Sequence, residues 1–247
     1  MTKQIVLVTG GTGGIGEAIS IKLHDAGYTV LVTYSPKNTG VDAWLANMEA
    51  QERRFKAFAV DVADYESCAR CVAKILAEVG PVDILVNNAG ITRDAVFKKL
   101  DKVDWDAVIR TNLDSVFNMT KPVCDGMVER GWGRIINISS IIGSKGGFGQ
   151  TNYAAAKAGI HGFTKSLALE VAKKGVTVNT ISPGFIATRM VMAVPQDVLE
   201  NRIIPQIPVG RLGQPAEVAA LVLYLCSREA GFLTGANIAL NGGQHLQ

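Results

Sequence analysis

Ile5-Val-Leu-Val-Thr9-Gly-Gly-Thr-Gly-Gly-Ile-Gly16, followed by Glu17-Ala-Ile-Ser-Ile-Lys-Leu23, decides the fold of this 247-residue chain. The short apolar run reads as a buried strand, and the spacing of Ala18, Ile19 and Leu23 reads as a helix. Between them stand five glycines in seven positions. Gly10 can take the tight turn, Gly14 lets backbone approach a pyrophosphate, and Gly16 lets the helix pack on the strand. Thr12, Gly13 and Ile15 complete the loop. The helix N-terminus then turns free N–H groups and a positive dipole on the phosphates. A glycine pattern alone is weak, but strand before and helix after give it the context of a dinucleotide site. No Lys-Ser/Thr follows the last glycine, so this is not a P-loop.

The same alternation continues outward. Predicted strands are Ile5–Val8, Thr29–Thr33, Phe55–Val60, Ile84–Asn87, Arg134–Ile138, Thr177–Ile181 and Asn237–Leu240. Predicted helices lie between them at Gly14–Ala26, Val41–Gln51, Tyr65–Val79, Trp105–Glu129, Asn152–Lys173 and Glu217–Cys226. Strands alternating with helices mean βαβ units and a parallel sheet. The strands read as apolar runs, as strands buried on both faces do. The expected fold is α/β: a Rossmann-type, doubly wound, parallel seven-stranded sheet flanked by helices. No linker, repeat or low-complexity tract divides the chain, so residues 1–247 are read as one domain. Ser182 to about Gln214 holds Pro183, Pro195, Pro205 and Pro208, with a short helical pattern at Asp197–Ile204. Such a segment after a parallel strand reads as a lid over a site or as a crossover insertion.

Composition excludes other classes. The hydrophobic share is 48% and the charged share 19%, which argues for a packed core and against disorder. Net charge is +3, with no dense Lys/Arg run, so nucleic-acid binding is not expected. The longest apolar run, Val218–Cys226, falls short of the roughly 20 residues that span a membrane. No signal-peptide pattern opens the chain, so a cytoplasmic location is expected. Cys68-x-x-Cys71 has no second pair, and His24, His161 and His245 are scattered, so free thiols and no metal site are expected.

The end of the second strand bears on the cofactor. An NAD site puts an acidic residue there for the ribose hydroxyls. This chain reads Thr33-Tyr34-Ser35-Pro36-Lys37-Asn38, with no acid before Asp42. That absence, with Ser35 and Lys37 in place, favours NADP.

Tyr153 and Lys157 stand four apart, on one face of a helix. A nearby ammonium favours a phenolate and is expected to lower the Tyr153 pKa toward the working range. Asn137-Ile138-Ser139-Ser140 ends the fifth strand, at the sheet edge that faces the ligand crevice. A serine hydroxyl there can donate to a carbonyl oxygen as it gains charge. No Gly-x-Ser-x-Gly elbow is present and no histidine is placed to serve Ser140, so a serine hydrolase is excluded.

The glycine loop, Asn87-Asn-Ala-Gly90, Asn112, Ser140, Tyr153-x-x-x-Lys157 and Pro183-Gly184 together resemble the short-chain dehydrogenase/reductase family, over essentially the whole chain. The resemblance implies that Tyr153 is the general acid and that Lys157 bonds the nicotinamide ribose. It implies that Ser140 holds the substrate carbonyl and that Asn112 holds a water in a proton relay. Asn88, Ala89, Gly90 and Ile91 would line the adenosine side, with Asp61 and Val62 at the adenine. Pro183, Gly184, Phe185, Ile186 and Thr188 would flank the nicotinamide. Gly13 departs from the arginine that many NADP-using relatives carry, which leaves more of the 2′-phosphate to Lys37. A homotetramer, built through the helices of Asn112 and Tyr153 and the last strand, is also implied.

Within the family, Ile91-Thr92-Arg93-Asp94 resembles the 3-oxoacyl thioester reductases. The stretches Gly126–Arg134, Gly146–Tyr153 and Leu240–His245 lean toward those that reduce acetoacetyl-CoA for polyhydroxyalkanoate synthesis rather than carrier-protein thioesters. Asp94, Ile141, Gly147, Phe148, Gly149 and Gln150 would then touch an acyl-CoA substrate. Phe148 either walls off a short acyl chain or is plain packing. The alternatives are a carrier-protein reductase of fatty acid synthesis and, remotely, a non-enzymatic dinucleotide sensor.

Overall fold

The computed structural model describes residues 3–246. Seven parallel strands form one sheet in the order β3-β2-β1-β4-β5-β6-β7. They are β1 (Ile5–Val8), β2 (Thr29–Tyr34), β3 (Lys56–Ala59), β4 (Ile84–Asn87), β5 (Gly133–Ile138), β6 (Val176–Pro183) and β7 (Asn237–Leu240). The helices are α1 (Gly14–Asp25), α2 (Val41–Glu49), α3 (Tyr65–Glu78), α4 (Lys102–Ile109), α5 (Ser115–Glu129), α6 (Ile142–Lys145), α7 (Thr151–Val171), α8 (Arg189–Met192), α9 (Gln196–Val198) and α10 (Pro215–Cys226).

Successive side chains of a strand point to opposite faces, and here both faces are covered. Leu7, Leu31, Leu85 and Ile135 pack with residues of α3, α5 and α7. Val6, Val8, Val32 and Ile136 pack with residues of α1 and α10. This is why these strands read as unbroken apolar runs. Cys68 and Cys71 lie buried in the first of these layers, and burial pushes their thiols up to about 12 and about 11. Thiols so placed are inert packing. No helix among the described residues is long and apolar enough to cross a membrane.

Local signals set the helix starts. The Asp64 carboxylate accepts from Ser67 N at 3.1 Å and Asp101 from Asp104 N at 2.7 Å, each such cap contributing about 1 kcal/mol. Gln214 N donates to the Glu217 carboxylate at 2.7 Å, and Pro215 occupies the first helical position of α10.

The structure departs from the sequence reading in several places. Trp105–Glu129 is not one regular helix: α4 starts at Lys102, and a π-helical turn at Arg110–Asp114 separates it from α5. An extra residue per turn leaves no signature of Gly or Pro, and such turns concentrate at functional sites. Next, β6 runs on to Pro183, so the long connection begins at Gly184. That connection is a helical excursion with its own small core, where Leu199, Ile207 and Leu212 pack with Phe185, Val191 and Ile203. Its base is clasped by backbone bonds from Ala187 N to Gly213 O at 2.8 Å and from Gly213 N to Phe185 O at 2.9 Å. The short helix α6, absent from the sequence reading, begins two residues after Ser140.

Candidate active site

Strand order reverses between β1 and β4, and the crevice opens at their carboxyl ends. Thr9 staples the two loops there. Its hydroxyl oxygen accepts from Asn88 N at 2.9 Å and from Ala89 N at 3.0 Å, while Asn88 Nδ2 donates to Thr9 O at 3.0 Å. Thr33 holds the glycine loop from the other side, accepting from Gly10 N and Gly11 N.

The loop is shaped as a cradle. Gly10 and Gly14 have positive φ, +61° and +55°. A Cβ on Gly16 would lie 2.2 Å from Gly10 O, so α1 packs on the loop as closely as backbone allows. No side chain caps the N-terminus of α1, and Gly13 and Gly14 are exposed, so the first N–H groups face outward. This geometry fits a pyrophosphate. Thr188 closes over the loop: a Cβ on Gly14 would meet its Cγ2 at 3.7 Å. Beyond β2, Ser35 and Lys37 are exposed in a tight turn, with Lys37 N donating to Ser35 Oγ. Asp61 is exposed past β3, and the Val62 carbonyl is held by Asn118 Nδ2 at 3.0 Å.

On the other side of the crevice Ser140, Tyr153 and Lys157 converge. Hydrogen bonding with Ser140 lowers the Tyr153 phenol, but burial and then the Asp94 charge raise it, and the net shift is upward from 10.0. This reverses the expectation that the Lys157 ammonium depresses it. Lys157 Nζ lies 5.6 Å from the Tyr153 ring centroid and donates to Ile138 O at 2.8 Å. Full burial lowers the Lys157 pKa to about 8.

Asn112 sits in the π-helical turn, buried, with its side chain clasped to one residue. Its Oδ1 accepts from Ile91 N and its Nδ2 donates to Ile91 O, both at 2.8 Å. The side chain therefore fixes the Asn88–Ile91 loop. A Cβ on Gly90 would lie 3.0 Å from Asn112 Oδ1 and 3.7 Å from Lys157 Nζ, so the three groups are neighbours.

Two residues to which the sequence reading gave no site role hold α7 in place. Ser139 Oγ donates to Lys157 O at 2.9 Å, and His161 Nε2 lies 3.0 Å from Ser139 Oγ and 3.3 Å from Ser182 Oγ. Burial lowers the His161 pKa, with Lys165 and Lys157 adding to it, which favours the neutral ring. Its position four residues after Lys157 was the available signal.

The substrate side is built from two loops. Gln150 Nε2 donates to Asp94 Oδ2 at 2.9 Å, Ala95 N to Gly149 O at 2.9 Å, and Asn152 Nδ2 to Arg93 O at 2.9 Å. Gly147 packs against the Gln150 side chain. Phe148 is 94% exposed, so it is not packing within the chain. Ile141 and Ile186 are buried. Pro183 O accepts from Ile141 N at 3.0 Å, which sets the floor between β5 and β6, while Gly184 touches the Asn241 backbone and Phe185 turns into the core of the long connection.

Residues 4–199 match the family model described as short chain dehydrogenase. The chain belongs to the short-chain dehydrogenase family. A nicotinamide dinucleotide is therefore the cofactor class that the glycine cradle takes. The chain is 56% identical to an acetoacetyl-CoA reductase of Cupriavidus necator over 246 residues, covering 100% of both chains. It is 55% identical to an acetoacetyl-CoA reductase of Shinella zoogloeoides over 241 residues, covering 98% of each. It is 44% identical to a 3-oxoacyl-acyl-carrier-protein reductase of Vibrio harveyi over 243 residues, covering 98% of each.

Proposed function

We propose that this short-chain dehydrogenase reduces acetoacetyl-CoA to (R)-3-hydroxybutyryl-CoA with NADPH, in the cytoplasm, to supply polyhydroxybutyrate synthesis. The convergence of Ser140, Tyr153 and Lys157 beside the glycine cradle is the observation that carries the reaction type. The preference for CoA over a carrier protein rests on 55–56% identity to the two acetoacetyl-CoA reductases named above against 44% to the carrier-protein reductase.

In this reading the Ser140 hydroxyl donates to the ketone oxygen and fixes the carbonyl. NADPH, when bound, supplies the reducing equivalent to the carbonyl carbon. As negative charge gathers on the oxygen, Tyr153 passes it a proton. A phenol held above its ordinary pKa is reliably protonated for that task. The buried Lys157 ammonium reaches the nicotinamide ribose and supports the proton's return path, and Asn112 holds Ile91 so that Asn88, Ala89 and Gly90 line the adenosine side. Ser35, Lys37, Thr12 and Gly13 surround the 2′-phosphate, while Asp61 and Val62 meet the adenine. Pro183, Gly184, Phe185, Ile186 and Thr188 back the nicotinamide. Asp94 and the Gly147–Gln150 loop contact the acyl thioester, and exposed Phe148 covers it from the rim. The chain assembles as a homotetramer, for which exposed Phe117 on α5 and Leu169 on α7 offer apolar contact.

The test measures NADPH oxidation with acetoacetyl-CoA and with acetoacetyl-carrier-protein in parallel. A kcat/KM at least about tenfold higher for the CoA thioester, about 1.4 kcal/mol of transition-state preference, is expected. The opposite ranking replaces this reading by a carrier-protein reductase of fatty acid synthesis.

Cofactor choice has its own test. Lys37→Glu puts a carboxylate where the 2′-phosphate is received, and like charges at close range are mutually costly. The NADPH-to-NADH ratio of kcat/KM falls at least about tenfold, and less at high salt because the position is exposed. An unchanged ratio removes Lys37 from the phosphate site.

A further inference from the structure

A buried hydrogen-bond chain runs beneath the catalytic groups. Asn87 Nδ2 donates to Thr120 Oγ1 at 3.1 Å and to Asn137 Oδ1 at 2.8 Å. Asn137 Nδ2 donates to Thr164 Oγ1 at 2.8 Å, and Thr164 Oγ1 lies 2.7 Å from Thr180 Oγ1. All five side chains are buried. The chain has a direction, because Asn87 spends both amide N–H groups and Asn137 accepts with its oxygen and donates with its nitrogen.

Each member comes from a different element, and each of those elements leads to the site. Thr120 lies on α5, which continues the turn holding Asn112. Asn87 ends β4, immediately before Asn88. Asn137 stands on β5, three residues before Ser140, and Thr180 on β6, three before Pro183. Thr164 lies on α7, seven residues after Lys157, and so on the same helix face.

The first half of α7 is anchored by Asn152 Nδ2 to Arg93 O at 2.9 Å, Lys157 Nζ to Ile138 O at 2.8 Å and Ser139 Oγ to Lys157 O at 2.9 Å, whereas its second half is poorly specified apart from Thr164. Its buried residues are Asn152, Ala156, Lys157, Ile160, Thr164, Ala168 and Val171, and after Lys157 all but Thr164 are small or aliphatic. Hydrophobic contact is non-directional, so such a stripe tolerates small axial slips against the sheet. A hydrogen bond at 2.8 Å between buried groups does not, since breaking it strands a donor in low dielectric. Ser139 grips α7 at Lys157 O, and Thr164 grips it two turns further on. Anchors at both ends of this stretch fix height and tilt together.

We infer that Thr164, held between Asn137 and Thr180, is a positioning residue that sets α7 against β5 and β6 and so places the Tyr153 phenol over Ser140. The inference rests on the catalytic roles proposed above for Tyr153 and Ser140. Misplacement by about 1 Å can cost on the order of 10²-fold in rate, so a slight slip is enough.

The test compares Thr164→Val, Thr164→Ser and Val178→Ala. Thr164→Val keeps the outline of the side chain and removes the hydroxyl. With acetoacetyl-CoA and NADPH, its kcat falls about tenfold or more while both KM values stay within about twofold. Thr164→Ser restores the hydroxyl and returns kcat to within about threefold of the parent, although losing a buried methyl lowers its melting temperature. Val178→Ala opens a cavity in the core beside β6, lowers the melting temperature and leaves kcat unchanged. Should Thr164→Val give no folded protein, Thr180→Val, which removes the next hydroxyl in the chain, is read by the same criteria. A Thr164→Val kcat equal to the parent overturns the inference. So does a Thr164→Ser kcat as low as that of Thr164→Val, or an equal fall in Val178→Ala.

A second readout needs no turnover. The phenolate absorbance of Tyr153, taken as the difference between each protein and its Tyr153→Phe partner, titrates at a shifted pH in Thr164→Val, because the phenol has moved relative to Ser140 and Asp94. An unshifted titration overturns the inference even if the parent reduces no acetoacetyl-CoA. The latter result by itself overturns the proposed substrate and leaves the titration to decide the role of Thr164.

Discussion

Tyr153→Phe reduces acetoacetyl-CoA about 10²–10⁴-fold more slowly than the parent while binding NADPH with unchanged affinity, the range expected for loss of a general acid. The ring remains, so the packing around α7 remains; only the hydroxyl is lost. No other group in the crevice replaces it. Ser140 is an alcohol, Lys157 is tied to Ile138 O at 2.8 Å, and His161 is engaged with Ser139 and Ser182. The pH profile of the parent carries a second sign. Reduction needs the phenol protonated, and burial holds that phenol above 10.0, so Tyr153 does not limit the rate in the neutral range. Lys157 does: its pKa is lowered to about 8, and the rate declines as pH rises through that value and the ammonium is lost. Rate and cofactor binding by stopped flow across pH 6–10, roughly the span between histidine and tyrosine titration, check both statements. A Tyr153→Phe variant as fast as the parent would remove Tyr153 from the chemistry.

The sheet was legible because burial on both faces leaves a plain trace. Ile5–Val8 and Ile84–Asn87 have the bounds that their apolar runs predict, and the edge strand Asn237–Leu240 keeps its predicted bounds although none of its residues is fully buried. The edge strand β3 is shorter than Phe55–Val60, because one side has no partner and only Phe58 is buried. Helix α4 begins three residues earlier than predicted, at a capping aspartate, Asp101, that the apolar periodicity passes over. The π-helical turn around Asn112 was not legible, since it depends on the clasp to Ile91, a tertiary contact across 21 positions. The same holds for Thr120, Asn137, Thr164 and Thr180. Each reads as an ordinary polar residue in its own element, and only the fold joins them. Phe148 was left between two roles by the sequence, and its exposure discards plain packing within the chain.

Gly16→Ala separates the backbone geometry of the cofactor cradle from its charge. The added methyl would sit 2.2 Å from Gly10 O and 2.6 Å from Asn88 Nδ2. The first is backbone, held by Gly10 N to Thr33, and the second is engaged with Thr9 O at 3.0 Å. Neither can turn aside as a flexible side chain would, so α1 must back away from the loop. Overpacking of this kind costs about 1–3 kcal/mol of stability. The same displacement withdraws the helix N-terminus from the phosphates, and NADPH affinity falls on the order of 10²-fold because several N–H contacts are lost together. Gly13→Arg is the counterpart. Gly13 has φ −165°, extended backbone open to any residue, and nothing lies within 4 Å of its added Cβ. It folds with an unchanged melting temperature, and its guanidinium raises the NADPH-to-NADH affinity ratio about tenfold by adding a bidentate partner for the 2′-phosphate. Fluorescence titration of both nucleotides with thermal melts reads the pair. A Gly16→Ala protein with parental NADPH affinity would mean that the loop, not α1, carries the phosphate contacts. A destabilised Gly13→Arg protein would mean that the loop is less open at Gly13 than its geometry implies.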